Sequence, residues 1–454
     1  MAQPAPSRVV EACSVEPLQG ATPTSLPLTF FDLLWLRFPP VERLFFYSFP
    51  HSTSSFFDSV LPTLKHSLSL TLQHFLPLAG NIIWPHDSPK PIINYVPGDT
   101  VSFTVAESNV DFNYLCSDLY EAEKRYHLIP HLTTSHEKAS LIALQVTLFP
   151  NSGFCIGLTS HHAGLDGKSS TSFMKSWAFS CSKLQKEGLS SLFPLPEDLT
   201  PFFDRSVIKD PTGITEVYIN AWLKLDGPNN RSVKVFESMT TTQTDAVKGV
   251  FELTPSHIQK LKKYAESKIE KKDQLSTFAV TYAYVLASAV KAEQPKGDSD
   301  TVISAFTVDC RSRLDSPIAP TYFGNCIGGQ VFKVEIKSLL EKDGFISALE
   351  EMNEALKRVK DGVLSGAKDW ISSIQKIPEG RAYSIAGSPR FEIYSIDFGW
   401  GRPKKVDITS IDRTGAFSLS ESRNNNRGIE IGLVLKKHEM EAFSASFVQQ
   451  LESF

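Results

Sequence analysis

The sequence predicts an α/β protein built in two halves. Its 454 residues exceed what one hydrophobic core usually serves, since domains of about 150 residues are typical. Helix-spaced apolar residues and β-rich runs occur in both halves. Between the halves, residues 187–222 are rich in Pro and Gly and show few regular patterns, which indicates a connection. We therefore predict a first domain over residues 1–199, a linker over 200–222 and a second domain over 223–454.

The first half is predicted to contain a helix, a β-hairpin and a second helix. Apolar residues at helical spacing predict the first helix over residues 61–76. Two β-rich runs, 139–149 and 154–158, flank a short turn and predict the hairpin. Helical periodicity returns over residues 168–184. Residues 160–167 therefore lie where a strand is followed by a helix, a place that favours chemistry because helix N-terminal amides converge there.

The second half alternates strands and helices in the same way. Thr254 is a suitable N-cap and Pro255 a suitable first residue for a helix that ends at Lys268. The other elements predicted in this half are the helices 277–292 and 350–360 and the strands 246–253, 301–308, 392–396, 405–410 and 428–435.

Charge and cysteine usage exclude several classes of protein. The net charge of −4 argues against a nucleic-acid binder, which normally carries a basic excess. The six cysteines are scattered without a C-x-x-C pair, unlike a disulfide framework or a zinc ribbon. Residues 1–15 lack a basic region leading into an apolar stretch, and the charge-free segment 274–290 is too polar to span a membrane. We expect a reduced, soluble, cytoplasmic protein without nucleic-acid or membrane partners.

The densest polar cluster in apolar surroundings is Ser-His-His-Ala-Gly-Leu-Asp-Gly over residues 160–167. His161 and His162 point in opposite directions if the strand continues, so one of them faces any given cavity. Asp166 follows four residues after His162 and could turn back toward the ring or the backbone. For an arbitrary His-Asp pair, a loop histidine bonded to a backbone carbonyl is the commoner outcome. A zinc site is a second reading, but the spacings typical of zinc ligands are missing.

Two further segments stand out. Residues 397–403 contain a D-F-G tripeptide, but the chain has no G-x-G-x-x-G loop, H-R-D motif or V-A-I-K lysine, which excludes a kinase. Alone, the segment indicates a glycine-rich strand end with a structural Trp. Tyr322-Phe-Gly-Asn-Cys326 indicates an aromatic-flanked turn.

In combination and in order, these motifs resemble a known family. His162-x-x-x-Asp166 followed by Asp397-Phe-Gly-Trp-Gly401 is similar to the double signature of the plant BAHD acyl-CoA-dependent acyltransferases. The resemblance covers the whole chain and includes the segments 26–32 (LPLTFFD) and 76–80 (LPLAG). The Tyr322–Cys326 segment resembles the corresponding segment in the clade that acylates anthocyanins and other flavonoid or phenolic glucosides. Residues 204–211 and 384–389 resemble the same clade. Both main motifs are intact, which favours an active enzyme.

The resemblance implies a monomer with the two-domain chloramphenicol acetyltransferase-like fold, in which helices flank mixed sheets and a channel runs between the domains. His162 would lie in mid-channel as the general base, since an imidazole with a pKa of about 6.5 is largely neutral in the cytosol. Acyl-CoA would be a co-substrate, and its thioester is a good leaving group, so no bound cofactor or metal is expected. Asp166 would point away from the channel, shape the motif and pair with Arg311.

Other roles follow from the same resemblance. Asp397, Gly399, Trp400 and Gly401 would be structural. The backbone around Gly387 and Ser388 is the best candidate for stabilising an oxyanion, because Gly permits a close approach. Ser276 and Thr277 at a helix start are CoA-binding candidates. Candidates for contacting the CoA phosphates are Lys260, Lys262, Lys263 and Arg390.

The acyl donor and the acceptor stay open at this point. Malonyl-CoA with the primary 6-hydroxyl of the glucose in a flavonoid or phenolic glucoside is the first choice, because residues 161–168 resemble the malonyl-using members. The malonyl carboxylate would need a cation, for which Lys168, Lys175 and Arg390 are candidates. A hydroxycinnamoyl-CoA-dependent enzyme of the same clade is the alternative. Its aromatic acyl group would need an aromatic-lined slot, which the abundant Phe residues could line. A non-catalytic glucoside- or CoA-binding protein is the alternative from another class, and a zinc hydrolase is a distant third.

Overall fold

The computed structural model describes residues 7–18, 20–188, 192–236, 245–269, 275–294, 300–375 and 382–453. In chain order, the strands within these ranges are β1 (Ser7–Val15), β2 (Thr24–Pro27), β3 (Val41–Ser48), β4 (Asn81–Ile83), β5 (Ile92–Tyr95), β6 (Val101–Ser108), β7 (Leu119–Glu121), β8 (Lys138–Ser140), β9 (Ile142–Phe149), β10 (Gly153–Ser160), β11 (Ala246–Leu253), β12 (Thr301–Asp309), β13 (Ile327–Glu335), β14 (Ala382–Ala386), β15 (Lys405–Ile408), β16 (Phe417–Glu421) and β17 (Ile429–Lys436). The α-helices are α1 (Phe30–Leu33), α2 (Thr53–Ser55), α3 (Leu61–His74), α4 (Leu76–Ala79), α5 (Phe112–Cys116), α6 (Gly167–Glu187), α7 (Ile214–Lys224), α8 (Pro255–Lys268), α9 (Thr277–Glu293), α10 (Ile336–Leu340), α11 (Gly344–Asp361), α12 (Trp370–Gln375) and α13 (Lys437–Ser453).

The strands of the described ranges form three sheets. A six-stranded sheet with the order β1-β6-β9-β10-β3-β15 organises the first half, and a seven-stranded sheet with the order β13-β12-β14-β16-β17-β11-β7 organises the second. A four-stranded sheet, β2-β5-β4-β8, completes the first half. Parallel and antiparallel pairs occur in both large sheets, and helices flank them. The predicted class, mixed sheets flanked by helices, is therefore confirmed.

Each half contributes an edge strand to the sheet of the other. β15 belongs to the second half but pairs antiparallel with β3, with Lys405 opposite Phe46 and Ile408 opposite Arg43. β7 belongs to the first half and pairs antiparallel with β11, with Tyr120 opposite Lys248. The two large sheets are thus joined through backbone hydrogen bonds as well as side-chain packing.

The hairpin that precedes the His-Asp motif forms as predicted. β9 and β10 are buried along their whole length and pair from Gly153 opposite Phe149 to Ser160 opposite Ile142. A Cβ on Gly157 would lie 2.4 Å from the carbonyl oxygen of Leu128, so this position requires glycine. β10 ends at Ser160 and α6 begins at Gly167, which confirms the predicted strand-to-helix junction.

The second half is built around α9, which is buried on all sides from Ala279 to Val290. Ser276 caps this helix by accepting a hydrogen bond from the amide of Ala279 at 3.0 Å. The predicted cap of α8 is also present, because the Thr254 hydroxyl accepts from the amide of His257 at 3.2 Å. One continuous apolar core includes residues of both halves.

Some element predictions need correction. The strand predicted over residues 392–396 is wrong: Pro389–Phe391 and Ile393–Ser395 form short 3-10 turns, and Glu392 has a φ of 52°. The Pro- and Gly-rich region contains the helix α7, and α11 begins at Gly344, earlier than predicted. Residue 274, the first of the charge-free segment 274–290, lies outside the described residues. The domain boundaries stay a prediction. No helix in the described ranges has the length and apolarity to cross a bilayer.

Candidate active site

A cavity of about 1800 Å³ lies between the two halves. The first half contributes the start of β3 and the junction of β10 with α6, and the second contributes β12, β14 and the start of α9. The predicted site residues that line it are His162, Asp166, Lys168, Ser276, Thr277, Arg311, Gly387, Ser388 and Arg390. A volume of this size accommodates two substrates at once, since small-molecule sites usually measure about 300–1,000 Å³.

The His162 imidazole is stacked on the indole of Trp35, with 4.1 Å between the ring centroids and 6° between the planes. Burial lowers the pKa of His162 to about 4, because a charged imidazolium loses its hydration there. The ring is therefore neutral at pH 7, and its pKa lies below the ordinary value that the sequence suggested. A neutral imidazole is the form that accepts a proton.

The backbone of His162 is fixed by Asn325 and Asp32. The Asn325 side-chain amide donates to the carbonyl oxygen of His162 at 2.8 Å and to Asp32 Oδ1 at 3.1 Å. Asp32 Oδ1 also accepts from the Asn325 backbone amide at 3.0 Å. The segments LPLTFFD, His-x-x-x-Asp and Tyr-Phe-Gly-Asn-Cys, distant in sequence, therefore meet at one point behind the histidine.

The Asp166 carboxylate is engaged by the protein on both oxygens. Oδ1 accepts from the amide of Ser169 at 2.8 Å and so caps α6. Oδ2 accepts from the amide of Cys326 at 3.1 Å and lies 2.9 Å from Arg311 Nη2. The structure thus brings Asp166 and Arg311 together as a buried ion pair between the two halves. The carboxylate makes no hydrogen bond to the His162 ring in the described part of the chain.

Arg205 and Tyr322 connect the 204–211 segment to the Tyr-Phe-Gly-Asn-Cys turn. Arg205 Nη1 donates to the Tyr322 hydroxyl at 2.7 Å, and the guanidinium lies over the Tyr322 ring. Gly324 has a φ of 150°, which favours glycine, and a Cβ at this position would also stand 1.8 Å from Arg205 Nη1. This packing fixes the backbone that carries Asn325.

The Asp-Phe-Gly-Trp-Gly segment lies outside the cavity lining. Asp397 Oδ1 accepts from the amides of Gly399 at 2.7 Å and Gly401 at 2.9 Å, which closes a tight loop. Phe398 packs edge-on against two rings of the first half, Tyr47 at 5.7 Å and Trp177 at 4.9 Å, and Trp400 packs against Phe154. The segment therefore attaches the second half to the first.

Comparison with known proteins identifies the family. The sequence model of the Transferase family matches residues 9–450. Phenolic glucoside malonyltransferase 1 of Arabidopsis thaliana is 39% identical over 96% of this chain and 95% of its own. The malonyl-CoA:anthocyanidin 5-O-glucoside-6''-O-malonyltransferase of Arabidopsis thaliana is 40% identical over 98% of both chains. The chain is a BAHD acyltransferase. It is therefore an acyl-CoA-dependent transferase.

The fold of solved BAHD enzymes is the same. The crystal structure of vinorine synthase superposes with a TM-score of 0.70, covering 98% of each chain at 20% identity. The two-domain acyltransferase fold implied by the sequence motifs is thus confirmed.

The remaining predicted BAHD site residues divide by their surroundings. Gly387 has a φ of 78° and lines the cavity, and the Ser388 hydroxyl accepts from the amide of Arg390 at 3.2 Å. Lys168 lies 3.3 Å from Asp309 Oδ2. Arg390 is exposed.

Four of the lysines suggested by the sequence do not line the described cavity. Lys175 lies 3.1 Å from the Glu392 carboxylate. The other three belong to α8 and are Lys260, Lys262 and Lys263.

A zinc site at the His-His-Asp cluster finds no support in the donor atoms. Asp166 is occupied by Arg311 and two backbone amides, and His161 Nδ1 accepts from the amide of Ala163 at 3.2 Å. Within the described ranges, three metal-ligating side chains nowhere come together.

Sequence reasoning missed Trp35 and Arg43. Trp35 follows the LPLTFFD segment and supports His162. Arg43 is one of two buried charges of the strand β3, next to Glu42, and it lines the cavity; a charge within a buried strand was the signal that could have identified it. Asp32 and Asn325 lay within quoted motifs but without an assigned role.

Proposed function

We propose that this BAHD acyltransferase moves the malonyl group of malonyl-CoA to the primary 6-hydroxyl of the glucose in a flavonoid or phenolic glucoside. The observation that carries the proposal is a neutral His162 that faces a cavity with room for a donor and an acceptor. The choice of donor and acceptor is supported by two relatives of about 40% identity, whose names state malonyl transfer to glucosides. We also propose that the enzyme acts as a cytoplasmic monomer.

His162 acts as the general base. As the glucose oxygen attacks the thioester carbonyl carbon, the imidazole accepts the hydroxyl proton and a tetrahedral oxyanion forms. When the intermediate collapses, the C–S bond breaks and the imidazolium returns its proton to the CoA thiolate. The products are the malonyl ester and free CoA, and the histidine ends neutral. Proton transfer of this kind contributes about 10²–10⁴-fold to the rate.

Asp166 acts as a positioning residue in this scheme, because its oxygens hold α6, Cys326 and Arg311 rather than the histidine ring. The backbone amides beside Gly387 and Ser388 serve the oxyanion, which needs donors at about 3 Å. Ser276 and Thr277 contact the CoA arm, and the 397–401 loop keeps the halves in register.

Mass spectrometry of reaction mixtures tests the function. Purified protein is incubated with malonyl-CoA or p-coumaroyl-CoA and a panel of flavonoid and simple phenolic glucosides, with His162→Ala in parallel. We expect malonylated glucosides from the native protein and none from the variant, whose melting temperature should stay near the native value. Coumaroylated products instead would overturn the donor, and substantial turnover by His162→Ala would overturn the general base.

A further inference from the structure

Arg43 is a buried cation on the wall of the reaction cavity. It lies on β3, opposite Leu158 of β10 and Ile408 of β15, so strands from both halves flank it. The residue is 4% exposed and shares the cavity lining with His162. The guanidinium approaches the start of α6 closely, because a Cβ on Gly167 would lie 3.1 Å from Arg43 Nη2.

The protein provides hydrogen-bond partners for only part of this guanidinium. Nη1 donates to the Thr171 hydroxyl at 2.9 Å, and the buried Nε has no hydrogen-bond partner among the described residues. No carboxylate of the described residues lies within ion-pair distance of Arg43. Asp166 attracts it electrostatically, but that carboxylate is paired with Arg311. Burial lowers the pKa of Arg43 to about 10, as expected for a cation that lacks a nearby counter-ion.

The other cations of the cavity lining are either paired or exposed. Lys168 is paired with Asp309, and Arg413 with Glu42. Arg311 is paired with Asp166, and Lys357 with Glu354. The remaining lining cations are exposed to solvent and are Arg313, Lys360, Arg390 and Arg427. Of the lining residues that the structure describes, Arg43 is therefore the buried cation without a counter-ion. An unpaired buried charge is costly, so such a site is completed when a ligand supplies the anion.

We propose that Arg43 binds the distal carboxylate of a dicarboxylic acyl group on the CoA donor. In a malonyl thioester one methylene separates this carboxylate from the reacting carbonyl, so the two carbons lie about 2.5 Å apart. The cation that binds it must therefore lie near the general base. Arg43 does so, since its charge is among those that lower the pKa of the His162 imidazole. A planar guanidinium also matches a carboxylate with two parallel hydrogen bonds. The inference rests on the proposed function and names the residue that selects its donor.

Donor competition kinetics test the inference. We would measure kcat/KM for malonyl-CoA and for acetyl-CoA with one glucoside acceptor in the native protein, Arg43→Gln and Arg43→Lys. The malonyl-to-acetyl ratio should fall about a hundredfold in Arg43→Gln, because a buried charged contact to the donor is lost. Arg43→Lys keeps the positive charge but cannot make two parallel hydrogen bonds to a carboxylate. Its malonyl-to-acetyl ratio should lie between those of the native protein and Arg43→Gln. The matched controls Lys168→Gln and Arg390→Gln, which remove the two cations suggested by the sequence, should change the ratio less than about threefold.

A binding measurement separates the possible failures. Calorimetry without acceptor compares Kd for malonyl-CoA and acetyl-CoA, and the native preference for malonyl-CoA should disappear in Arg43→Gln. Thr171→Val removes the hydrogen bond to Arg43 without removing its charge and should keep most of the preference, even if Arg43→Gln folds poorly. If the native protein uses malonyl-CoA but the malonyl-to-acetyl ratio does not change in the Arg43 variants, this inference alone is overturned. A native protein that does not use malonyl-CoA overturns it together with the proposed donor.

Discussion

The His162 imidazole lies flat on the Trp35 indole, with the ring centroids 4.1 Å apart. Asn325 and the backbone of His162 itself are the hydrogen-bonding groups beside the ring, and no carboxylate of the described residues is bonded to it. Trp35 orients the ring by restricting its plane, while Asn325 restrains the backbone. The base is therefore positioned by aromatic packing rather than by the charge relay that a His-x-x-x-Asp motif suggests.

Substitution of Trp35 should impair catalysis without unfolding the protein. Trp35→Ala removes the face on which His162 rests, and a misplaced catalytic group costs about a hundredfold in rate. Trp35→Phe keeps an aromatic face and should retain most of the activity. Steady-state kcat with saturating donor is the measurement. Trp84→Ala is the control, because Trp84 is a buried indole outside the described cavity lining. Equal losses of kcat in the two alanine variants would contradict the role of Trp35.

The pair of Asp166 with Arg311 should matter for stability as well as for activity. Asp166→Ala leaves a buried guanidinium with one remaining carboxylate, Asp309, at 2.9 Å. The free energy of unfolding should fall by about 3–5 kcal/mol. Denaturant titration of Asp166→Ala, Arg311→Ala and the double variant measures the coupling. A melting temperature equal to the native value with no activity would argue instead for direct participation of Asp166 in the reaction.

Local patterns in the sequence predicted local structure well, and family motifs predicted which residues meet. The junction of β10 and α6 follows from the end of the β-rich run and from the return of helical periodicity at residue 168, both readable over a few residues. The error at residues 392–396 has a local cause, since Glu392 adopts a left-handed conformation that apolar spacing does not reveal. Trp35 and Arg43 act through contacts with distant residues, which periodicity does not encode.

Acid should destabilise the protein through its buried histidines. Burial lowers the pKa of His161 from its ordinary value of 6.5 to about 4, so the folded state disfavours the protonated ring. Between these values the unfolded chain binds more protons, and stability falls as the pH decreases. This contribution is present above pH 6.5 and is lost toward pH 4. One such histidine accounts for about 2 kcal/mol between pH 7 and pH 5.

His161→Asn tests this linkage. The asparagine does not titrate, and its side-chain oxygen can replace Nδ1 as the acceptor for the Ala163 amide. Urea unfolding from pH 7 to pH 5 should give a shallower decline for this variant than for the native protein. The exposed His86 provides the control. In His86→Asn the stability should decline with decreasing pH as steeply as in the native protein. An unchanged slope in His161→Asn would show that another group governs the acid sensitivity.

The two strands that the halves exchange, β7 and β15, meet at a buried charge cluster. Removal of this cluster should weaken the association of the two halves. Asp407 of β15 accepts a hydrogen bond from the Tyr120 hydroxyl of β7 and lies 3.8 Å from Lys248 Nζ of β11. Lys405 Nζ and Arg125 Nε lie 4.0 Å and 3.9 Å from the same carboxylate. Burial opposes ionisation of Asp407, but the surrounding cations prevail and hold its pKa well below the usual range.

Asp407→Ala leaves these cations buried without that carboxylate, so the free energy of unfolding should fall by about 3–5 kcal/mol. Glu107→Ala breaks the exposed pair with Arg8 and should cost less than about 1 kcal/mol, which calibrates the comparison. Chemical denaturation followed by tryptophan fluorescence measures both variants. Because Asp407 does not line the described cavity, Asp407→Ala should keep its KM for the donor at temperatures where it remains folded. A loss no larger than that of Glu107→Ala would mean that backbone pairing of the exchanged strands, and not the charge cluster, joins the halves.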